Sequence, residues 1–242
     1  MIATVVWTRV VRVRGIDEDA DVKGDRSILG VLGWTVTFGV AFGWLEAVVV
    51  VYLRALFYPE GFGFPLAPMP ARLAAIEVSR EMATLVMLLA VARLGAKSGW
   101  GRFGLFALTF GVWDLAYYGG LYVALGWPAS WGDWDVLFLI PGIWTGPVWA
   151  PAIIAGLLVA CGMWLTRQGE LGRLARPRGY HWLLAVGSLV AIVGAFLSNH
   201  TRVAAGANPA PFPVVLFFSG IAVGLGALAS VARESRPSKN GS

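Results

Sequence analysis

Two carboxylates, Glu46 and Asp114, sit in the middle of stretches so apolar that a lipid bilayer is their natural solvent. Glu46 lies in Gly43-Trp44-Leu45-Glu46-Ala47-Val48-Val49-Val50, and Asp114 in Phe110-Gly111-Val112-Trp113-Asp114-Leu115. An ionisable group at membrane depth costs several kcal/mol unless it is paired or hydrated, so by default it marks a functional site. The surrounding composition agrees. Charged residues make up 14% of the chain and hydrophobic ones 57%, where a soluble domain carries roughly 25% charge. Mean hydropathy is +0.70.

Six apolar segments reach or approach the roughly 20 residues needed to span a bilayer as a helix. They are Ile28–Phe57, Leu73–Val91, Phe103–Leu125, Val136–Leu165, Trp182–Leu197 and Val214–Ala232, the fifth being the shortest. The sequence therefore predicts an all-α, polytopic integral membrane protein, a six-helix transmembrane bundle over residues 28–232. A tail of residues 1–27 precedes it and a second tail, 233–242, follows it. The first 27 residues lack the short apolar stretch and small-residue cleavage site of a signal peptide, so they read as a cytoplasmic tail.

The fourth segment contains Pro141, Pro147 and Pro151. An interior proline deletes a helix hydrogen bond and clashes with the preceding turn, so this span is expected to be kinked or broken. Freed carbonyls at that depth need protein or a watered cavity beside them. The break therefore reads either as the lining of a site or as a bent helix packed on its neighbours.

Orientation follows from the basic residues, which favour the cytoplasmic side. Fifteen of the nineteen Lys and Arg fall in the N-terminal tail, the loops after the second and fourth spans, and the C-terminal tail. Arg54, Arg72, Arg80 and Arg202 lie on the opposite side. Both termini are thus expected in the cytoplasm, in a multi-pass cell-membrane protein. The same distribution argues against nucleic acid as the reason for the +5 charge and the pI of 9.7. The one cysteine, Cys161, allows no disulfide within the chain and no thiolate metal site. His181 and His200 lie at opposite ends of one segment and make no facing pair for haem. No phosphate-binding or dinucleotide motif is present, and the sequence assigns no metal and no cofactor.

The charged residues of the first four spans share one half of the bundle. Arg54 is eight residues from Glu46, about 12 Å at 1.5 Å per residue. Glu77, Arg80 and Glu81 lie in the first third of the second span. Asp114 lies about 16 Å into the third, with Tyr117 and Tyr118 one turn further on. Asp135 stands at the mouth of the fourth. Packed together, these residues would enclose a polar funnel opening outward, with Glu46, Asp114 and Glu81 as the candidate catalytic carboxylates. Arg54, Arg80, Asp135, Tyr117, Tyr118 and the aromatic residues Trp44, Trp113 and Trp144 are the candidate substrate contacts. Glu46 and Asp114 are expected to converge. The structural alternative is a set of salt bridges that fix the packing, such as Glu46–Arg54 and Glu81–Arg80.

Several chemistries suit such a funnel. An acid in apolar surroundings with aromatic walls suits binding or conversion of a lipid-like or isoprenoid substrate. Deep carboxylates also suit a proton- or cation-coupled transporter. A third reading is a cofactor-free accessory subunit of a membrane respiratory complex, with an unidentified partner there. Membrane lipids are the expected surroundings. The residues alone do not separate enzyme from carrier.

Overall fold

The protein, seen as a computed structural model, is described for the backbone of residues 2–235 and the side chains of residues 27–235. The charged side chains of the N-terminal tail, and Arg236–Ser242 of the C-terminal tail, lie outside the described residues. The chain runs α1 (Ile2–Phe57), α2 (Ala71–Gly95), α3 (Gly99–Leu125), β1 (Trp134–Phe138), β2 (Trp144–Pro147), α4 (Trp149–Glu170), α5 (Gly179–Leu197), α6 (His200–Ala204) and α7 (Val214–Glu234). Among the described residues, four stretches are long and apolar enough to cross a membrane: Ser27–Phe57, Trp149–Glu170, Gly179–Ala204 and Val214–Glu234. Helix α2 falls short because Arg72, Glu77, Arg80, Glu81 and Arg93 interrupt it. Helix α3 is rich in Gly, Trp and Tyr, and it is the central helix, packed along α1, α2 and α4.

Close approach of α3 to its neighbours rests on glycine. A Cβ at Gly43 would lie 2.4 Å from the Trp113 carbonyl oxygen, and one at Gly120 would lie 2.6 Å from Ala47 Cβ, so α1 and α3 meet almost backbone to backbone. On the other side, a Cβ at Gly104 would meet Thr166 N at 2.5 Å and one at Gly162 would meet Leu108 N at 2.5 Å. Where apolar surroundings remove the hydrophobic drive between helices, such small-residue seams supply the packing instead. Gly39-xxx-Gly43 is thus spent inside the chain, on α1–α3, and Gly220-xxx-Gly224 on α5–α7. The far end of the α3–α4 seam is fixed by Glu170, whose carboxylate accepts the Ser98 N–H at 2.8 Å and the Ser98 hydroxyl at 2.7 Å. An acid at a helix N-terminus satisfies donors that the helix leaves open.

The fourth segment departs from the expected kinked helix. Residues 136–148 form no helix. β1 and β2 make an antiparallel hairpin, with Trp134 opposite Pro147, Asp135 opposite Gly146 and Val136 opposite Thr145, and the register shifts between Val136 and Phe138. The prolines explain the difference. Pro141 lies in the connection between the strands and Pro147 at a strand end, where no ladder N–H is required. Pro151 falls in the first turn of α4, where its missing N–H costs nothing. All three bound the helix instead of bending it, and the aromatic, β-branched run Trp134–Phe138 favours a strand.

A two-stranded hairpin is marginal alone, and this one is held from every side. The aromatic cluster of Phe196, Phe212, Phe217 and Trp149 packs against it through Trp134 and Trp144, joining α5 and α7 to the α1–α4 body. Its connection is clamped at both ends. Glu81 accepts the Leu139 N–H, and His200 Nδ1 accepts the Ile143 N–H at 2.9 Å.

The glycine seam makes a direct prediction. Gly162→Ala should lower the melting temperature in detergent, because its Cβ meets backbone that cannot yield; overpacking of this kind costs about 1–3 kcal/mol. Gly156→Ala, six residues earlier with nothing within 4 Å, should leave it unchanged or raise it. Equal melting temperatures for the two variants would remove the seam from the account of stability.

Candidate functional site

The hairpin, α1, α2 and α3 bring most of the sequence candidates together, with partners that differ from those expected. Arg54 closes α1 and is buried. Its Nη2 donates to Asp135 Oδ1 at 3.1 Å, with the side chains only 8% and 3% exposed. The guanidinium carbon lies 3.7 Å from the Trp127 ring centroid and 4.4 Å from that of Phe62. A weakly hydrated planar cation is suited to such an aromatic cage. Asp135 Oδ2 accepts the Tyr117 hydroxyl at 3.3 Å. The expected Glu46–Arg54 pair does not form, because the hairpin carries Asp135 to the guanidinium first.

Arg80 reaches across from α2 to α1. It donates to Glu46 through Nη1 and to Glu77 through Nε. From their positions along the chain the arginines are too few, and too near the surface, to neutralise both deep acids; Arg80 pairs with Glu46, and Asp114 has no arginine beside it. Depth along one helix says nothing about a neighbouring helix that slides its own arginine to the same level. Glu81, one turn beyond Glu77, is buried and makes no pair with Arg80 of its own. Both of its oxygens accept the Leu139 N–H, at 2.9 and 3.0 Å.

Asp114 differs from the other acids. It accepts no hydrogen bond from the described residues, and its charged neighbour is Asp135. The expected convergence of Glu46 and Asp114 is not seen: the charged groups beside Glu46 are Arg80 and Glu77, and the one beside Asp114 is Asp135. Tyr117 stands within electrostatic reach of both. Asp114 is one turn before Tyr117 and Tyr118 on the same face of α3. Tyr118 is 7% exposed, and its hydroxyl faces the Asp135 carboxylate, with Asp114 within electrostatic reach, but makes no well-formed hydrogen bond among the described residues.

The aromatic candidates divide. Trp113 is buried against Phe110 and Phe138, and Trp144 stacks on Phe196 with its edge toward Phe138. The indole N–H of each is buried without a partner among the described residues, as is the Thr145 hydroxyl. Trp44 goes elsewhere. It is 48% exposed and, with Val40, Leu115, Ala116 and Gly119, lines an apolar groove of about 510 Å³ on the outside of α1 and α3. That face of α3 is opposite the one bearing Asp114, so Trp44 does not join the polar cluster.

Phe62, Trp127, Phe138, Leu139 and Thr145 were not among the sequence candidates. Trp127 reads from sequence as an interface belt residue, and Phe62 as part of a Pro/Gly-rich loop. Only the return of both loops over Arg54 reveals their role. Outside the chamber, Asp133 accepts the Ala129 and Ser130 N–H groups and the Ser130 hydroxyl. Its slight burial acts upward, and these hydrogen bonds outweigh it and hold the carboxyl below its usual range. No group of three or more His, Cys, Asp or Glu among the described residues is arranged to hold a metal ion. No known family model, curated protein or solved structure matches this chain.

The Arg54–Asp135 pair carries a clear expectation. Asp135→Asn leaves a buried guanidinium unpaired, which costs about 3–5 kcal/mol. Arg54→Met with Asp135→Leu removes both charges and should recover much of that loss. A melting-temperature double-mutant cycle checks this, and additive losses would show that the two side chains do not depend on each other.

Proposed function

We propose that this chain is a six-span cell-membrane protein, with both termini in the cytoplasm, whose chamber between α1, α2, α3 and the hairpin binds a lipid-like small molecule. Helices α2 and α3 have 25 and 27 residues. At about 1.5 Å per residue each exceeds a hydrocarbon core of roughly 30 Å. Exposed Trp34, Leu56, Leu183, Val190 and Val215 give the helices apolar outer faces. Fifteen of nineteen basic residues favour the cytoplasmic assignment, and the hairpin then faces outward. In a Cys161→Ala background, Gly132→Cys should label with an impermeant thiol reagent in intact cells, and Gly179→Cys should not. The opposite pattern reverses the orientation.

One observation carries the ligand-binding reading. The buried side-chain atoms without hydrogen-bond partners among the described residues are Trp113 Nε1, Tyr118 Oη, Trp144 Nε1 and Thr145 Oγ1. They lie on α3 and β2, with Tyr118 within electrostatic reach of Asp114 and the Trp113 and Trp144 rings packed against Phe138. An unpaired buried polar group costs about 1–3 kcal/mol, so a cluster of them beside the same hairpin is expected to be completed by a ligand or by water. Tyr118→Phe should therefore hold or raise the melting temperature while lowering the amount of lipid-like molecule retained on native purification, read by mass spectrometry. Loss of stability with unchanged retention would make the tyrosine structural and refute the reading.

Asp114 also supports a second reading, a proton- or cation-coupled carrier. A deep carboxyl with no protein donor is free to bind and release a proton. Flux in proteoliposomes that depends on a proton gradient and is abolished by Asp114→Asn would favour it over ligand binding alone.

A further inference from the structure

The hairpin connection is tied to the rest of the fold by two side chains that both take up protons. Leu139 and Ile143 lie just beyond the β1–β2 ladder. The Leu139 N–H is accepted by the Glu81 carboxylate from α2, and the Ile143 N–H by His200 Nδ1 from α6, at 2.9 Å. The two acceptors stand on different parts of the molecule. Glu81 belongs to the α1–α4 body. His200 follows directly on α5, which packs along α7 and meets the body at β2.

The bond at Ile143 fixes the state of the imidazole. Nδ1 accepts only when it carries no proton, so the ring is neutral with its hydrogen on Nε2. In the imidazolium both nitrogens are donors. The Nδ1–H and the Ile143 N–H would then point at one another, and the bond is lost. The ring lies close against Gly142, where a Cβ would stand 2.9 Å from Nδ1 and Cε1, so a side chain at that position would displace the imidazole. Solvent reaches His200, which is half-buried beside the exposed Thr201 and Arg202.

The groups around the two acceptors differ. From residue 182 to 232 the charged or titratable side chains are His200 and Arg202, and residues 136–148 carry none. Arg202 donates to the Asn208 carbonyl. The hairpin's acids are engaged elsewhere, Asp135 with Arg54 and Tyr117, and Asp133 with Ala129 and Ser130. Glu81 faces Arg80 and Glu77 on its own helix and Glu46 from α1. A protonated carboxyl still offers its carbonyl oxygen to an N–H, whereas a protonated imidazole offers nothing. The end held by Glu81 therefore outlasts the end held by His200.

We propose that His200 is a proton-operated latch on the hairpin connection, closed by the neutral imidazole and opened when the ring is protonated. Opening frees Ile143 and loosens the tie between the α5–α7 pair and the body, leaving the Trp144–Phe196 stack and its aromatic cluster in place. Histidine is the side chain whose charge changes between about pH 5 and 8. The latch is independent of what the protein binds. With the hairpin facing outward, as proposed above, the pH it reads is that of the external medium.

The test is hydrogen–deuterium exchange on the full chain in phosphatidylcholine nanodiscs at pH 8 and pH 5. Fragmentation isolates the Ile143 and Leu139 amides, and protection factors remove the intrinsic pH dependence of exchange. Ile143 should lose about tenfold in protection at pH 5, the worth of one hydrogen bond, while Leu139 and the α3 amides of residues 104–111 keep theirs. His200→Asn, whose Oδ1 takes the place of Nδ1 and gains no proton in this range, should keep Ile143 protected at both pH values. His200→Phe, a ring without an acceptor, should leave it unprotected at both. Should His200→Phe fail to fold, His200→Asn decides. Equal protection of Ile143 at pH 8 and pH 5 in the unaltered chain overturns the latch. So does a loss at pH 5 that persists in His200→Asn, which assigns the titration to Glu81 if Leu139 changes with it and to general loosening if the α3 amides change too.

Discussion

The ion pair between Arg54 and Asp135 is the contact on which the arrangement of the polar side chains depends. It joins the end of α1 to the first strand of a hairpin eighty-one residues later. It is buried, so its charges gain little from water and must be completed from the protein. Completion comes from the Phe62 and Trp127 rings on the cation and from Tyr117 on the anion. Those partners come from both loops flanking the α2–α3 hairpin and from α3 itself. One buried charge pair therefore recruits α1, α3, two loops and the hairpin, and it places Tyr118 and Asp114 beside the same carboxylate.

The hairpin solves a problem that apolar surroundings impose. Every backbone N–H and C=O shielded from water needs a partner. The ladder between β1 and β2 supplies most of them. Where the ladder ends, side chains take over, with Glu81 receiving the Leu139 N–H and His200 the Ile143 N–H. Two candidates for chemistry thus have structural work. Glu81 keeps spare acceptor capacity while holding the hairpin, and Glu46 is committed to Arg80. Asp114 is left as the acid with nothing to hold, which is why the functional readings converge on it and not on Glu46.

Apolar runs, the pairing of Tyr117 and Tyr118 with Asp114 along one helix face, and the membership of Arg54, Arg80, Glu81 and Asp135 in one polar region are legible in the residues. Helical period and distance along the chain carry that information. Pairing is not legible. Glu46 with Arg80 in place of Arg54, and Arg54 with Asp135, depend on how far α2 slides along α1 and where the hairpin lands. Trp44 shows the same limit. Its position next to Glu46 suggests a shared site, and the backbone-to-backbone seam at Gly43 turns it to the opposite side.

By itself, the sequence determined that this chain must build helices with apolar outer faces and that a few ionisable groups, Glu46 and Asp114 among them, fall inside the apolar runs. Both follow from composition and spacing, which no packing can alter. Only the tertiary structure decided that Val136–Pro147 is a hairpin and not a bent helix, and which buried donors and acceptors remain unpaired. Proline forbids an interior helical position in either case. Whether it kinks a helix or bounds one depends on partners such as Arg54, Glu81 and His200, which reach the segment only after the chain has folded.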